Sequence, residues 1–146
     1  MERALLLLLM NAGSTLYMVG LIWFVQLVHY PLMSRVGPGA YADYQRAHQS
    51  LTSLAVGPAM LVELIASIGL VVDGPRDPLC WVGLGAVVAL WASTALVQMP
   101  LHAALAEGFR AEVHASLVST NWLRTMLWSG RGVLALWLIA RAWRLP

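Results

Sequence analysis

The sequence predicts an all-α protein, a four-transmembrane-helix bundle with a 2+2 helix pseudo-repeat, occupying residues 1–146 as one domain. Two observations carry that expectation. Hydrophobic residues make up 60% of the chain and charged residues 11%, against roughly 25% charged in ordinary globular domains, so the bilayer must be the solvent for most of it. Apolar stretches also recur at the length, about 20 residues, that a helix needs to cross ~30 Å of hydrocarbon.

The first stretch runs over about 4–31. It is too long to be only a signal-peptide core, and no small-residue cleavage site follows it, so it reads as a retained helix. The second covers 51–72. The run Asp73-Gly74-Pro75-Arg76-Asp77-Pro78 is a strong breaker between it and the third, 79–100. The fourth, Trp122 to Trp143, contains Arg124 and Arg131, with Arg141 at its end, and is otherwise uncharged; the faces described below extend it back to 117. The first and third spans each end at a proline followed by a polar stretch. After Pro31-Leu32 come Tyr41, Tyr44, Arg46, His48 and Ser50-Leu51; after Pro100-Leu101 come Phe109, Arg110, His114 and Ser116-Leu117. This parallel is the basis of the 2+2 expectation, a pseudo-two-fold along the membrane normal.

Both termini and the 73–78 turn fall on one side, A, with Arg3, Arg76, Arg141 and Arg144; Arg35, Arg46 and Arg110 fall on the opposite side, B. The positive-inside rule then places A, with both termini, in the cytoplasm of a multi-pass protein, with the bacterial inner membrane as the expected location. The basic residues are nine Arg and no Lys, the net charge is +2 and no basic run exists, which excludes nucleic acid as a partner. Cys80 is the only cysteine, so there is no internal disulfide and no thiolate metal cluster.

Successive helical residues turn by about 100°, so spacing alone assigns faces. Asn11, Thr15, Met18, Ile22, Gln26, His29 and Met33 share a face of the first span. His48, Thr52, Ala55, Ala59, Glu63 and Ala66 share one on the second, where Gly57-Pro58 is a kink signal. Leu84, Val88, Trp91, Ala95, Gln98 and His102 align on the third; His114, Leu117, Asn121, Arg124, Trp128 and Arg131 align on the fourth. Polar groups facing lipid are costly, so these stripes should face one another. All four histidines then belong near side B. Glu63 and Arg131 lie about a dozen residues into their helices, ~18 Å down, and are expected to pair.

Histidines and a carboxylate opening toward one side of a bundle suit a transition metal such as iron, copper or zinc, or haem. The expected ligands are His29, His48, His102, His114 and Glu63, although no HExxH or Glu-x-x-His spacing is present. A hydrogen-bonded acid–base or quinone-type pocket is the other chemistry this cluster permits. Its working residues would be His29, His102, Asn121 and Arg124, with Gln26, Gln98, Trp91 and Trp128 against the bound molecule. Arg124 suits the oxygen of an acidic or aromatic ligand through a forked hydrogen bond.

Asn121-Trp122-Leu123-Arg124-Thr125, followed by Trp128 and Arg131, resembles the NWxRTxxWxxR pattern of the anthrone-oxygenase-like family of small four-helix membrane proteins. Met99-Pro100-Leu101-His102 resembles that family's proline-containing end of helix three, with His102 where Pro-Leu-Asn is usual. The resemblance implies a four-helix fold and, in some relatives, oxidation of a polycyclic aromatic by dioxygen. Two functional classes follow. One is a membrane oxidoreductase or oxygenase acting on a lipophilic aromatic or quinone-like molecule. The other is a non-catalytic subunit whose polar stripes are glue between helices, or toward membrane partners or further copies of the chain.

Overall fold

A computed structural model describes residues 2–75 and 77–143, and among these every regular element is helical. Arg76, Arg144 and the chain ends 1 and 146, used above to assign sides, lie outside the described residues. Four helices follow one another: α1, Glu2–Met33; α2, Pro38–Val72; α3, Pro78–Ala106; and α4, Ala111–Ala142. The first three are long and apolar enough to cross a membrane. The fourth has 32 residues, and its exposed positions from Trp122 to Ala140 are all apolar; its Arg124 and Arg131 are buried.

Local chemistry sets the boundaries. Pro38 and Pro78 occupy the first turns of α2 and α3, where a missing N–H costs nothing, and the Asp77 carboxylate caps α3 by accepting from the Leu79 N–H at 3.0 Å. Gly108 turns the chain from α3 into α4 at φ +142°, a conformation that side chains other than glycine rarely adopt.

The helices run beyond the apolar spans. The polar connectors are helical: α2 begins at Pro38, thirteen residues before 51, and α4 begins at Ala111. Nor do α1 and α3 stop at their prolines. Each passes through a single π-helical turn, Val25–His29 and Thr94–Gln98, and continues to Met33 or Ala106. The Tyr30 N–H bonds the Val25 carbonyl and the Met99 N–H the Thr94 carbonyl, each five residues back. The cause is local. Pro31 and Pro100 carry no N–H, and their rings would collide with the carbonyls of Leu27 and Leu96, so the preceding turn widens instead of breaking.

The helices run antiparallel in a ring, with α1 and α3 each packed between α2 and α4. Hydrogen bonds set the register between α1 and α2: Asn11 with Ser67, Thr15 with Glu63 and His29 with His48. Leu8, Leu70, Cys80 and Leu138 close the A end, while Met18, Ile22, Tyr30, Met33, Tyr41 and Trp128 belong to the larger core toward the B end.

Between these two cores lies a polar crossing. Glu63 and Arg131, on diagonal helices, are both buried and paired at 2.9 Å, as their matched depths require. Thr15 donates to Glu63 Oε1 at 2.7 Å, and the Trp128 indole N–H donates to Oε2 at 3.1 Å. Arg131 spends its remaining donors on the Gly83 carbonyl, Thr15 at 3.3 Å and Ser67 at 3.2 Å. All four helices therefore meet at one ion pair. Glu63→Gln or Arg131→Ala should each destabilise the protein by about 3–5 kcal/mol, because the surviving group stays buried without its partner. A double apolar replacement, Glu63→Leu with Arg131→Met, should cost less than either. Equilibrium unfolding in mixed detergent would show this order, and a double variant weaker than both singles would contradict it.

Candidate ligand-binding site

Above the ion pair, toward the B end, the four helices enclose a cavity of about 290 Å³. Met18, Ile22, Val25 and Tyr30 of α1, His48, Thr52 and Val56 of α2, Thr94, Gln98 and His102 of α3, and Arg124 of α4 line it. Most of the wall is apolar, with a few convergent polar groups, which is the usual make-up of a small-molecule site. An engineered apolar cavity of about 150 Å³ holds one benzene. Two or three fused rings fit here.

Arg124 is the polar centre. It is only 7% exposed, and no carboxylate lies within ion-pairing distance of it among the described residues. Its Nη1 donates to Asn121 Oδ1 at 3.0 Å, its guanidinium lies 5.0 Å from the centroid of the Trp128 ring, and its Nε has no partner. Asn121 is held in turn by donating to Gln26 at 2.8 Å, and Gln26 by donating to the Val118 carbonyl at 3.2 Å. Asn121 and Gln26 therefore stand behind Arg124 and aim it, rather than lining the cavity. Trp128 joins the two halves: its face carries Arg124 and its N–H holds Glu63.

Tyr30, which the face arithmetic passed over, supplies a second donor. Its hydroxyl lies 3.0 Å from His102 Nε2 and beside the Arg124 guanidinium. The Gln45 amide nitrogen lies 2.8 Å from His102 Nδ1, and an amide nitrogen can only donate, so the His102 proton sits on Nε2 and is given to Tyr30. The Tyr30 hydroxyl then keeps its own proton for a ligand. Gln98 presents the opposite polarity: its Nε2 donates to Thr120 at 3.0 Å and its Oε1 has no partner.

The histidines divide. His29, His48 and His102 stack in series, with ring centroids 4.7 and 5.0 Å apart, and His29 Nε2 meets His48 Nδ1 at 2.9 Å. His48 and His102 line the cavity, whereas His29 is half-buried behind them. His48 Nδ1 is shared with His29 and Thr52, and its Nε2 has no hydrogen-bond partner among the described residues. His114 lies apart. Its Nε2 meets the Tyr30 carbonyl at 2.8 Å and its ring packs on Phe109, so it braces α4 against α1.

The expected metal centre is not assembled. Among the described residues no group of three or more His, Cys, Asp or Glu side chains is placed to hold a metal ion. The donors themselves show why: both Glu63 oxygens accept from protein donors, both His102 nitrogens are engaged, and His114 serves a backbone carbonyl. The ring of four histidines around one pocket shrinks to two at the wall and one behind.

Trp91 also departs from expectation: it is 37% exposed, and Val88 and Ala95 face outward with it. The π turn is the reason. A residue in a π turn advances by about 80° rather than 100°, so five of them set the face back by roughly one residue. Below that turn the inward side of α3 is Cys80, Gly83, Val87 and Leu90. The same shift in α1 turns Tyr30 into the bundle and leaves His29 at its edge. On α2, Ala55 is exposed, while Gln45, outside the expected stripe, is fully buried.

Comparison with known proteins adds no relative: no family model, no curated protein and no solved structure matches the chain. The site's own wiring can be tested directly. Gln45→Leu should destabilise the protein by about 1–3 kcal/mol, because it leaves His102 Nδ1 buried without a donor, whereas Gln49→Leu, at a half-buried position, should cost less. Thermal unfolding of the two variants side by side measures the difference.

Proposed function

We propose that this chain is an integral membrane protein with four spans, α4 included, whose B-end cavity binds a lipophilic ring compound by one acidic oxygen and moves a proton on it. One observation carries the reading: Arg124, a buried cation with no carboxylate partner among the described residues and an unused N–H, lines an apolar cavity large enough for fused rings. A buried uncompensated charge is costly, and an anionic ligand removes that cost. The Tyr30 hydroxyl beside it provides a second donor to the same oxygen.

The chemistry follows from these groups. A phenol or enol enters with its oxygen between Arg124 and Tyr30. His48, with its proton on Nδ1, accepts the ligand proton at Nε2; the O–H bond breaks, the N–H bond forms and the electron pair stays on oxygen. Arg124 and Tyr30 stabilise the resulting oxyanion, and His29 shares the positive charge through its bond to His48. Gln98 Oε1 accepts from a second hydroxyl on the same molecule. An aromatic oxyanion is electron-rich and reactive toward dioxygen, the activity implied by the resemblance to the anthrone-oxygenase-like family. His102 acts here by orienting Tyr30.

The same proposal covers the whole fold. The outward positions of α4 from Trp122 to Ala140 are apolar, and Arg124 and Arg131 are buried, which supports its membrane passage. The paired π turns before Pro31 and Pro100, each followed by a polar connector, support the 2+2 repeat. The alternative, a non-catalytic subunit, draws on the Glu63–Arg131 crossing, whose polar groups satisfy one another without any ligand.

Anthracene-9-carboxylate separates the two readings. In vesicles containing the protein it should bind saturably, read as tryptophan-sensitised anthracene emission, and anthracene lacking the acid should bind at least tenfold more weakly. Arg124→Gln should weaken the acid by about 10- to 150-fold, the equivalent of a charged hydrogen bond of ~1.5–3 kcal/mol. Absence of saturable binding by the wild type would favour the non-catalytic subunit.

A further inference from the structure

Resting on that reading, we infer that the cavity is loaded sideways, from the hydrocarbon of the bilayer, through a window between α2 and α3. The cavity wall includes residues that are themselves exposed on the outer surface of the bundle. These are Ser53 on α2 and Met99 and Ala103 on α3, with Met99 61% exposed. No exposed residue of α1 or α4 belongs to the wall. The cavity therefore reaches the surface on one side only, at the α2–α3 seam.

The other ways in are closed. At the B end, Gln45 and Gln49 of α2 donate to the His102 carbonyl of α3 at 3.3 and 2.9 Å, and buried Tyr41 packs edge-on against Phe109 beyond them. The α1–α4 seam is tied by Trp23 to Ser129 and by Gln26 to the Val118 carbonyl, and the α3–α4 seam by Gln98 to Thr120. Below the cavity, Met60 and Leu90 are buried where α2 and α3 come together.

The backbone explains why this seam parts. The π turn Thr94–Gln98 lies on its α3 side, and Gly57-Pro58 lies just below it on α2. Both interrupt regular helix packing at the height of the window. The outward residues of α2 from Leu51 to Val72 carry no charge, so the window opens at the depth of lipid chains. A fused-ring acid dissolved in the bilayer meets the opening ring-first or head-first and needs no passage through water to reach Arg124.

Two arms test this. In the first, Ser53→Leu with Ala103→Leu narrows the window without touching Arg124, Tyr30 or His48. Association and release of anthracene-9-carboxylate in vesicles should both slow at least fivefold, with the dissociation constant within threefold of wild type. Ala92→Leu, equally exposed on α3 but outside the wall, should leave both rates unchanged. Unchanged rates in the double variant, or equal slowing by Ala92→Leu, would overturn the inference. The second arm needs no acid site. A neutral carbene-generating aryl diazirine dissolved in the vesicles should label buried Met18 and Ile22, and the double variant should lose that labelling while Leu54 on the outer surface keeps it. Interior labelling with no binding of the acid would sink the ligand reading and leave the window standing. No interior labelling would sink the window.

Discussion

Glu63 and Arg131 sit on helices that face each other across the bundle, at a depth where neither charge can reach water. Their need to meet imposes most of the remaining architecture. Diagonal helices touch only if the two between them supply small or polar groups at the crossing. Thr15 and Gly83 do so from α1 and α3, and Ser67 adds a hydroxyl from α2 itself. A Cβ at position 83 would meet the Arg131 guanidinium and the Leu134 side chain at 3.5 Å, an ordinary contact, so the crossing is close there but leaves room for a methyl group. Once the crossing is satisfied, the faces of all four helices are fixed in rotation and height.

That fixing separates two polar regions with opposite characters. The lower one is closed: among the described residues no buried side-chain nitrogen or oxygen there lacks a partner, and the result is rigidity. The upper one is left open: Arg124 Nε and Gln98 Oε1 at the cavity, and Tyr41 Oη and Gln45 Oε1 beyond it, have no partner. Trp128 is the joint between them, since moving its indole to accommodate a ligand against Arg124 would also strain its bond to Glu63. The rigid half therefore pre-positions the half around the cavity, and a ligand bound as proposed would meet an arginine already aimed, with no side-chain order left to impose.

The sequence makes the bundle legible because length, apolar content and breakers act locally, and it makes the Glu63–Arg131 pair legible because depth along a helix is simple arithmetic. Arg124, Asn121 and Trp128 lie on the inward face of α4 as their spacing predicts, because that helix is regular and its period stays uniform. The misses concentrate beside irregular backbone. Tyr30 is overlooked in favour of His29, and Trp91 is turned inward, because each prediction extends a 100° step through a turn that does not keep it. Pro31 and Pro100 carry that signal, but a proline alone does not say whether a helix stops, kinks or widens. Gln45 is missed for a different reason: it lies in a polar segment whose helical continuation into α2 is decided by packing against Tyr41 and His102 and not by its own apolar content.

The π turn in α3 has a genetic counterpart. It contains, in effect, one residue more than the helix needs to keep both of its faces in phase, so it is where the reading of the gene can lose a codon at least structural expense. Removing one residue within 94–98, with Pro100→Ala so that no proline ring demands the wider turn, would restore ordinary winding while Leu90 below and His102 above still faced inward. Removing one residue a turn earlier would swing Cys80, Gly83 and Val87 round by about 100° and pull Gly83 away from Arg131. Tolerance to single-codon deletion along this helix should therefore be confined to a five-residue window, and the ligand site lies on that window's inner side.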